Sequence, residues 1–314
     1  MPAPCVFFPA VALTAEHAQP REEGEPGMQA EANVKVERRQ SAFPWDKVPW
    51  WAVILIAAGL FLTYLIMADP EYHDTFQYLR DGIITTLRIT FSAYIFAVTL
   101  GLLIGLARTS KNKVVYTLAT LYVEIMRGIP MVVLMLYVAF ALVPASVGLL
   151  KALGAWGLTH YSTGMLANVF TKLSHATTRA LPMEVRAIIA LAMGYAAFEA
   201  EVFRAGIQSI GRGQMEAALS LGMTYLQATR FVILPQAVRR VLPPLGNDFV
   251  ALLKDSSLAT VLAVREITQM GRLRRASTFR VMETFNVVAY LYLSMTLLLS
   301  ALVRVLEQRM KIKE

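Results

Sequence analysis

Six long apolar segments recur along the chain, and they restrict its fold more than any other feature. Each is close to the roughly 20 residues that a helix needs to cross a bilayer, and only 17% of the 314 residues are charged. Because a segment in lipid must satisfy its own backbone hydrogen bonds, these segments are expected to be helical. The sequence predicts an all-α membrane protein with about six transmembrane helices: Trp50–Met67, Ile83–Ala107, Val114–Val143, Ala187–Ala205, Leu245–Val264 and Phe285–Val303.

The positions of the basic residues predict which way the helices run. The formal net charge is +8, but the basic residues lie between the apolar segments rather than in one patch, which favours a topology signal over nucleic-acid binding. The charge bias places both termini in the cytoplasm. The run Arg272–Arg275 then falls on the outer side, against the rule. Either this basic segment therefore enters a protein-lined cavity, or the fifth span is a re-entrant pair of half-helices.

Composition divides the chain into three parts. Residues 1–48 are predicted to be a disordered cytoplasmic tail, because Arg21–Gly27 is rich in Glu, Pro and Gly and cannot build a core. Residues 49–70 form an additional N-terminal transmembrane helix, and 78–310 form the main transmembrane domain. That domain contains a moderately polar insert, 144–183, whose composition suits short helices on the outer face, and a polar loop, 208–240.

Two further patterns predict how the helices pack and bend. Ala97, Gly101 and Gly105 repeat every four residues on one helical face, which favours close approach of a second helix. Pro130 removes a backbone hydrogen bond and is expected to kink the third span. The single Cys5 excludes a disulfide framework and a cysteine-based metal site. No metal or cofactor is expected.

The polar loop is predicted to contain a short helix between two breaks. Gly211 and Gly213 are expected to end the preceding span. Gly222 accepts the left-handed conformation that ends a helix, and Thr224 can cap the next one. The small and apolar residues between them recur at the spacing of an amphipathic helix: Met215, Ala218, Leu219 and Gly222.

The loop resembles the EAA loop of ABC-importer permeases. The matching residues are Glu216, Ala217, Ala218, Gly222, Leu234 and Pro235. Flanking segments are similar to those of polar amino acid permeases, namely Ala197–Ile210, Pro243–Asn247 and Leu253–Ala259. The resemblance covers roughly Asp81–Arg309, is strongest over Phe198–Thr268, and does not extend to the tail, the first span or the insert.

The resemblance implies a type I ABC importer permease of the histidine/glutamine/arginine class in a bacterial plasma (inner) membrane. Its EAA loop would receive a separate ATPase subunit, since the chain lacks the P-loop pattern and is not itself an enzyme. The other implied partners are a second permease subunit, identical or related, and an extracytoplasmic binding protein. The implied substrate is a polar amino acid.

Charged residues near the end of the fourth span are candidates for the substrate path. Glu201 and Arg204 are three residues apart on a helix and can pair. Alternatively, Glu201 lines the path and meets the ammonium group of an amino acid, because ionisable groups within a membrane are costly without a partner or a cavity. Glu199 lies on a different face from Arg204, so it does not easily share that pair.

A secondary, ion-coupled amino acid transporter is the alternative function. Such transporters also place polar residues near the membrane midplane and use broken helices. They usually carry an internal repeat of several spans, and the two halves of this sequence show no convincing similarity. Genes for an ATPase and a secreted binding protein beside this one would distinguish the two classes.

Overall fold

The computed structural model describes residues 50–161 and 163–310, and these residues are almost entirely helical. The predicted tail, 1–48, lies outside the described residues. The helices, numbered in chain order, are α1 (Trp50–Ala68), α2 (Pro70–Ala107), α3 (Lys113–Gly128), α4 (Met131–Tyr137), α5 (Val143–His160), α6 (Met165–Ser174), α7 (Met183–Gln208), α8 (Arg212–Ser220), α9 (Tyr225–Ala228), α10 (Leu234–Asp255), α11 (Ile267–Thr278) and α12 (Val281–Met310).

Four helices among the described residues are long and apolar enough to cross a membrane: Trp50–Ala68, Pro70–Ala107, Met131–His160 and Val281–Arg309. The other two expected spans, Ala187–Ala205 and Leu245–Val264, lie in α7 and in α10 with the 3-10 turn that follows it. Both are helical, but their charged and polar side chains lower their hydropathy.

The third span differs from its prediction, Val114–Val143. The helix breaks at Ile129 and Pro130, where Ile129 is extended with φ −94° and ψ 129°, the conformation that a following proline favours. Beyond Pro130 the helix does not stop at the insert. It continues from α4 through a π-helical turn, Val138–Leu142, into α5 and ends at His160. The insert therefore begins as an extension of the span rather than as separate short helices.

Helices α2 and α7 form the centre of the molecule, and the predicted small-residue face of α2 makes this possible. A side-chain carbon on Gly101 would lie 2.4 Å from Cβ of Glu199, and one on Gly105 would lie 2.9 Å from the carbonyl oxygen of Ala200. Ala97 is fully buried. The structure confirms that this face packs against another helix.

Helices α3 and α4 run antiparallel to α7. The hydroxyl of Tyr122 in α3 donates to the carbonyl of Met193 at 2.8 Å. Further along the pair, Arg186 of α7 donates to the carbonyl of Ala139 at 2.8 Å. The order of these contacts shows that α4 lies beside the N-terminal half of α7. The polar loop at the C-terminal end of α7 therefore lies at the opposite end from α5 and α6.

Candidate functional site

The predicted loop helix is α8, and its start differs slightly from the prediction. Gly211 lies just before the helix, but Gly213 lies within its first turn and breaks nothing. Glu216 and Ala217 are exposed, while Ala218 is 3% exposed and faces the rest of the protein. The helix thus packs against the rest of the protein through the small residue Ala218, and its polar side is exposed.

The end of α8 is fixed by two backbone hydrogen bonds around Gly222. The N–H of Gly222 donates to the carbonyl of Leu219 at 2.9 Å, and the N–H of Met223 donates to that of Ala218 at 3.2 Å. Gly222 has φ +81°, in the left-handed region that glycine adopts without steric cost. This pair of bonds is the Schellman motif, so the helix ends where the sequence predicts.

Thr224 begins the next helix, also as predicted. Its hydroxyl accepts from the N–H of Gln227, whose side chain accepts from the N–H of Thr224, which completes a capping box. The chain then passes through α9 and a π-helical turn, Thr229–Ile233, into α10, where Pro235 occupies the first turn. The amide of Gln236 in α10 donates to the side-chain oxygen of Gln214 in α8 at 3.3 Å. This bond links the two helices.

An exposed apolar surface lies just beyond α8. The side chains of Leu221, Tyr225 and Leu226 are 82%, 70% and 75% exposed, and Phe231 is 64% exposed. Several exposed apolar side chains close together in sequence on an otherwise polar segment are typical of a protein-interaction site. We call these four residues the loop patch. These residues were not among those predicted from the sequence, although apolar residues within a polar loop indicate an interaction surface.

A charged cluster lies where α7 meets the end of α2. The carboxylate of Glu201 accepts from both Arg204, three residues away, and Arg108, the residue that ends α2. Arg204 also donates to the side chain of Gln208 at 2.5 Å. The structure therefore contains the predicted Glu201–Arg204 pair and adds Arg108, which the sequence analysis did not identify.

The cluster opens onto a cavity of about 530 Å³. Glu201 lines it together with Gly206, Arg240 and Pro244, so α7 and α10 form its walls. The side chain of Glu201 is 30% exposed, whereas that of Arg108 is only 9% exposed. Glu201 is thus a carboxylate that solvent reaches from one side while the protein holds it from the other.

Glu199 lies in a different environment although it is only two residues away. It is fully buried and faces α2 at Gly101. Neither of its carboxyl oxygens has a hydrogen-bond partner. In this conformation it lines none of the described cavities, so contact with a passing substrate would require a different arrangement of α2 and α7.

Comparison with known proteins places this geometry in context. Residues 97–312 match the family described as "Binding-protein-dependent transport system inner membrane component". The chain is 35% identical over 234 residues to the glutamine transport system permease protein GlnP of Escherichia coli, covering 74% of this chain and 93% of that protein. It is 33% identical over 237 residues to the probable amino-acid permease protein YxeN of Bacillus subtilis, covering 76% and 93%.

Solved structures with a similar fold are also transporters. One, described as an amino acid ABC transporter with histidines, is 33% identical, has a TM-score of 0.59, and covers 74% of this chain and 94% of that one. An inward-facing MetNI methionine ABC transporter is 19% identical with a TM-score of 0.55, covering 75% and 97%. At that identity it supports the fold alone.

Proposed function

Because the chain belongs to the family of binding-protein-dependent transport system inner membrane components, we propose that it is the membrane-spanning permease subunit of an ABC importer for polar amino acids. The glutamine and amino-acid permeases among its relatives support this substrate class. The chain crosses the membrane several times and does not hydrolyse ATP itself. Its partners are an ATPase and a substrate-binding protein.

The observation that carries the proposal is the loop patch beside α8. An ATPase subunit would bind α8 and the loop patch, with Glu216, Ala217 and Gly222 on the exposed surface of the helix and the buried Ala218 holding the helix close to the rest of the protein. Leu221, Tyr225 and Leu226 would supply the apolar contact. Leu234 and Pro235 form the first turn of α10, the helix that is joined to α8 through Gln236 and Gln214.

The connections of α8 suggest how movement of the ATPase would reach the membrane helices. Ser209 at the end of α7 accepts a hydrogen bond from Arg240 of α10 through its carbonyl. The Gln236–Gln214 bond links α8 to α10 at the same level. A displacement of α8 therefore acts on α7 and α10 together, as a rigid-body change between inward- and outward-facing states requires.

The finer arrangement is part of the same proposal. Two permease subunits, identical or related, enclose the transport path, with α8 and both chain termini on the cytoplasmic side. Glu201 borders that path at its cytoplasmic end, through the cavity that it lines with Arg240, and Arg204 is paired with Glu201 beside it. Because Glu201 already contacts two guanidinium groups, this region has an excess of positive charge and suits the carboxylate of an amino acid.

The alternative, a secondary amino acid transporter, gives the loop patch no partner. Reconstitution in liposomes distinguishes the two functions: uptake that requires ATP and a copurifying ATPase supports the importer, and uptake driven by an ion gradient alone supports the alternative. Leu226→Asp should release the ATPase from the purified complex. Phe279→Asp, at a residue that is 86% exposed at the end of α11, should leave the ATPase bound.

A further inference from the structure

Helices α5 and α6 form a hairpin that projects from the membrane-spanning part of the chain. The stretch of α7 between Arg186 and Arg204 is about 27 Å long, close to the thickness of the hydrocarbon core. Arg186 is level with Ala139. The helix from Met131 to His160 is apolar enough to cross a membrane, but α3 precedes it in the same span, so we place the part beyond Ala139 outside the bilayer. In the orientation of the proposed function, the end that carries Arg186 is the outer one. The hairpin therefore lies outside the cell membrane.

Close packing of α5 against α6 makes this hairpin rigid. A side-chain carbon on Gly154 would lie 2.3 Å from the backbone nitrogen of Ser174, and one on Gly157 would lie 2.1 Å from the ring of Phe170. Only glycine allows α5 and α6 to approach this closely. The surface of α6 is therefore presented in a fixed position relative to α5 and, through it, to the core.

The hairpin is attached firmly at its base as well. The guanidinium group of Arg186, 8% exposed, donates to the carbonyl oxygens of Ala139, Thr178 and Leu181 at 2.8, 2.7 and 2.8 Å. These bonds join the outgoing and the returning chain. A displacement of the hairpin would therefore also move the N-terminal end of α7.

The charged residues of the hairpin and the segment that follows it are all basic. No aspartate or glutamate occurs between Pro144 and Pro182, whereas Lys151, Lys172 and Arg179 are present and all three are exposed. A surface with this charge attracts an acidic partner and guides its approach.

One face of α6 combines this charge with apolar side chains. Met165 and Val169 are 85% and 46% exposed, and Lys172 follows at the next helical turn, on the side opposite the buried Ala167. We call these three residues the α6 face. Outside the bilayer, exposed apolar side chains with a cation beside them have the composition of a protein interface rather than of a lipid-facing helix.

We propose that the α6 face is the docking surface for an acidic region of the importer's extracytoplasmic binding protein. This inference rests on the proposed function, which supplies both the partner and the orientation. The binding protein is the partner that approaches from this side of the membrane, and the hairpin projects toward it. Docking there would press on Arg186 and so reach α7, the helix that leads to α8.

The test uses the complete transporter in lipid nanodiscs and the purified binding protein encoded beside the permease gene. The test variant is Val169→Glu with Lys172→Glu, which reverses the charge and the polarity of the α6 face. The control is Ala152→Glu, which adds a negative charge to the face of α5 that points away from α6. At low salt, we expect the dissociation constant to rise about tenfold or more for the test variant and less than about twofold for the control.

Several outcomes overturn the proposal. Equal affinity of the test variant and wild type does so directly. A second test attaches a polarity-sensitive dye to Lys172→Cys in a Cys5→Ser background. If the dye reports a lipid environment before the binding protein is added, the α6 face contacts the membrane. If the same cysteine cross-links two permease copies, the α6 face contacts a second copy instead. If the double variant fails to insert, Lys172→Ala, with a smaller expected loss, decides the question.

The same experiment separates this inference from the proposed function. If the binding protein neither binds wild-type transporter nor stimulates its ATP hydrolysis, the importer assignment fails. If it does both, and the α6 variants behave like wild type, only the docking surface is wrong. Unchanged ATP hydrolysis without the binding protein confirms that the variants are folded.

Discussion

The guanidinium group of Arg108 and the carboxylate of Glu201 form an ion pair although 93 residues separate them in sequence. The pair joins the end of α2 to α7, and Arg204 donates to both oxygens of the same carboxylate. A single acidic side chain thus balances two basic ones at the edge of the cavity between α7 and α10.

Neutralising Glu201 should destabilise the protein. Glu201→Gln leaves the nearly buried Arg108 without its charged partner, at a cost of about 2 kcal/mol. We expect less monodisperse protein in size-exclusion chromatography and a lower thermal unfolding midpoint. Arg204→Gln should have a smaller effect, because Arg108 still balances Glu201. Normal yield of Glu201→Gln, with a higher amino acid concentration needed for half-maximal uptake, would instead show that the carboxylate of Glu201 contacts the substrate and is not needed to hold the two arginines.

Replacing Glu199 should have the opposite effect on stability. Its carboxyl group is buried without a hydrogen-bond partner, and an apolar group of similar shape removes that cost. Glu199→Met should therefore unfold at an equal or higher temperature than wild type, whereas Glu201→Met should unfold at a lower one. Stable Glu199→Met protein that no longer transports would show that the carboxyl group serves a step of the transport cycle.

Gly222 and Gly213 allow a matched test of coupling. Both have open space around the position of an added side-chain carbon, but only Gly222 has a positive φ. Gly222→Ala places a strained residue at the end of α8, at a cost of about 1 kcal/mol, while Gly213→Ala improves helix propensity. In proteoliposomes, we expect Gly222→Ala to lower the ratio of amino acid uptake to ATP hydrolysis. An unchanged ratio in both variants would count against α8 as the coupling element.

The orientation of the helices predicts where labels can reach the chain. In a Cys5→Ser background, Asn168→Cys on the hairpin should react with a membrane-impermeant maleimide in intact spheroplasts. Ser110→Cys, in the turn between α2 and α3, should react only after the membrane is opened. The reverse pattern would invert the threading of every helix.

Local rules explain what the sequence analysis predicted best. The end of α8 at Gly222 and the cap at Thr224 depend on residues within one turn, so the sequence contains the information directly. The small-residue face of α2 was also predicted, because a period of four residues on an apolar helix leaves few alternatives to close packing. The neighbour that fills this face, Glu199 on α7, could not be deduced from spacing.

Two features were not predicted from the sequence: a contact between distant segments, and a proline that does not end its helix. Nothing near Glu201 in sequence identifies Arg108, because only the parallel packing of α2 and α7 brings them together. The third span was predicted to end at Val143, just before Pro144. Instead, the π-helical turn at Val138–Leu142 shifts the hydrogen-bond pattern just before it, so that Pro144 occupies the first turn of α5, where its missing N–H costs little.

The chain leaves the helical core and returns to it at one place, since Arg186 holds the carbonyl groups of Ala139 and Thr178 on the same guanidinium group. The segment between Ala139 and Thr178 therefore begins and ends at the same place, and its length can change without moving either residue. Exchanging the hairpin for a short turn should therefore leave the positions of the core helices unaltered. If the α6 face binds the substrate-binding protein, a change in the hairpin can alter that partner. The helices that form the transport path can then evolve separately.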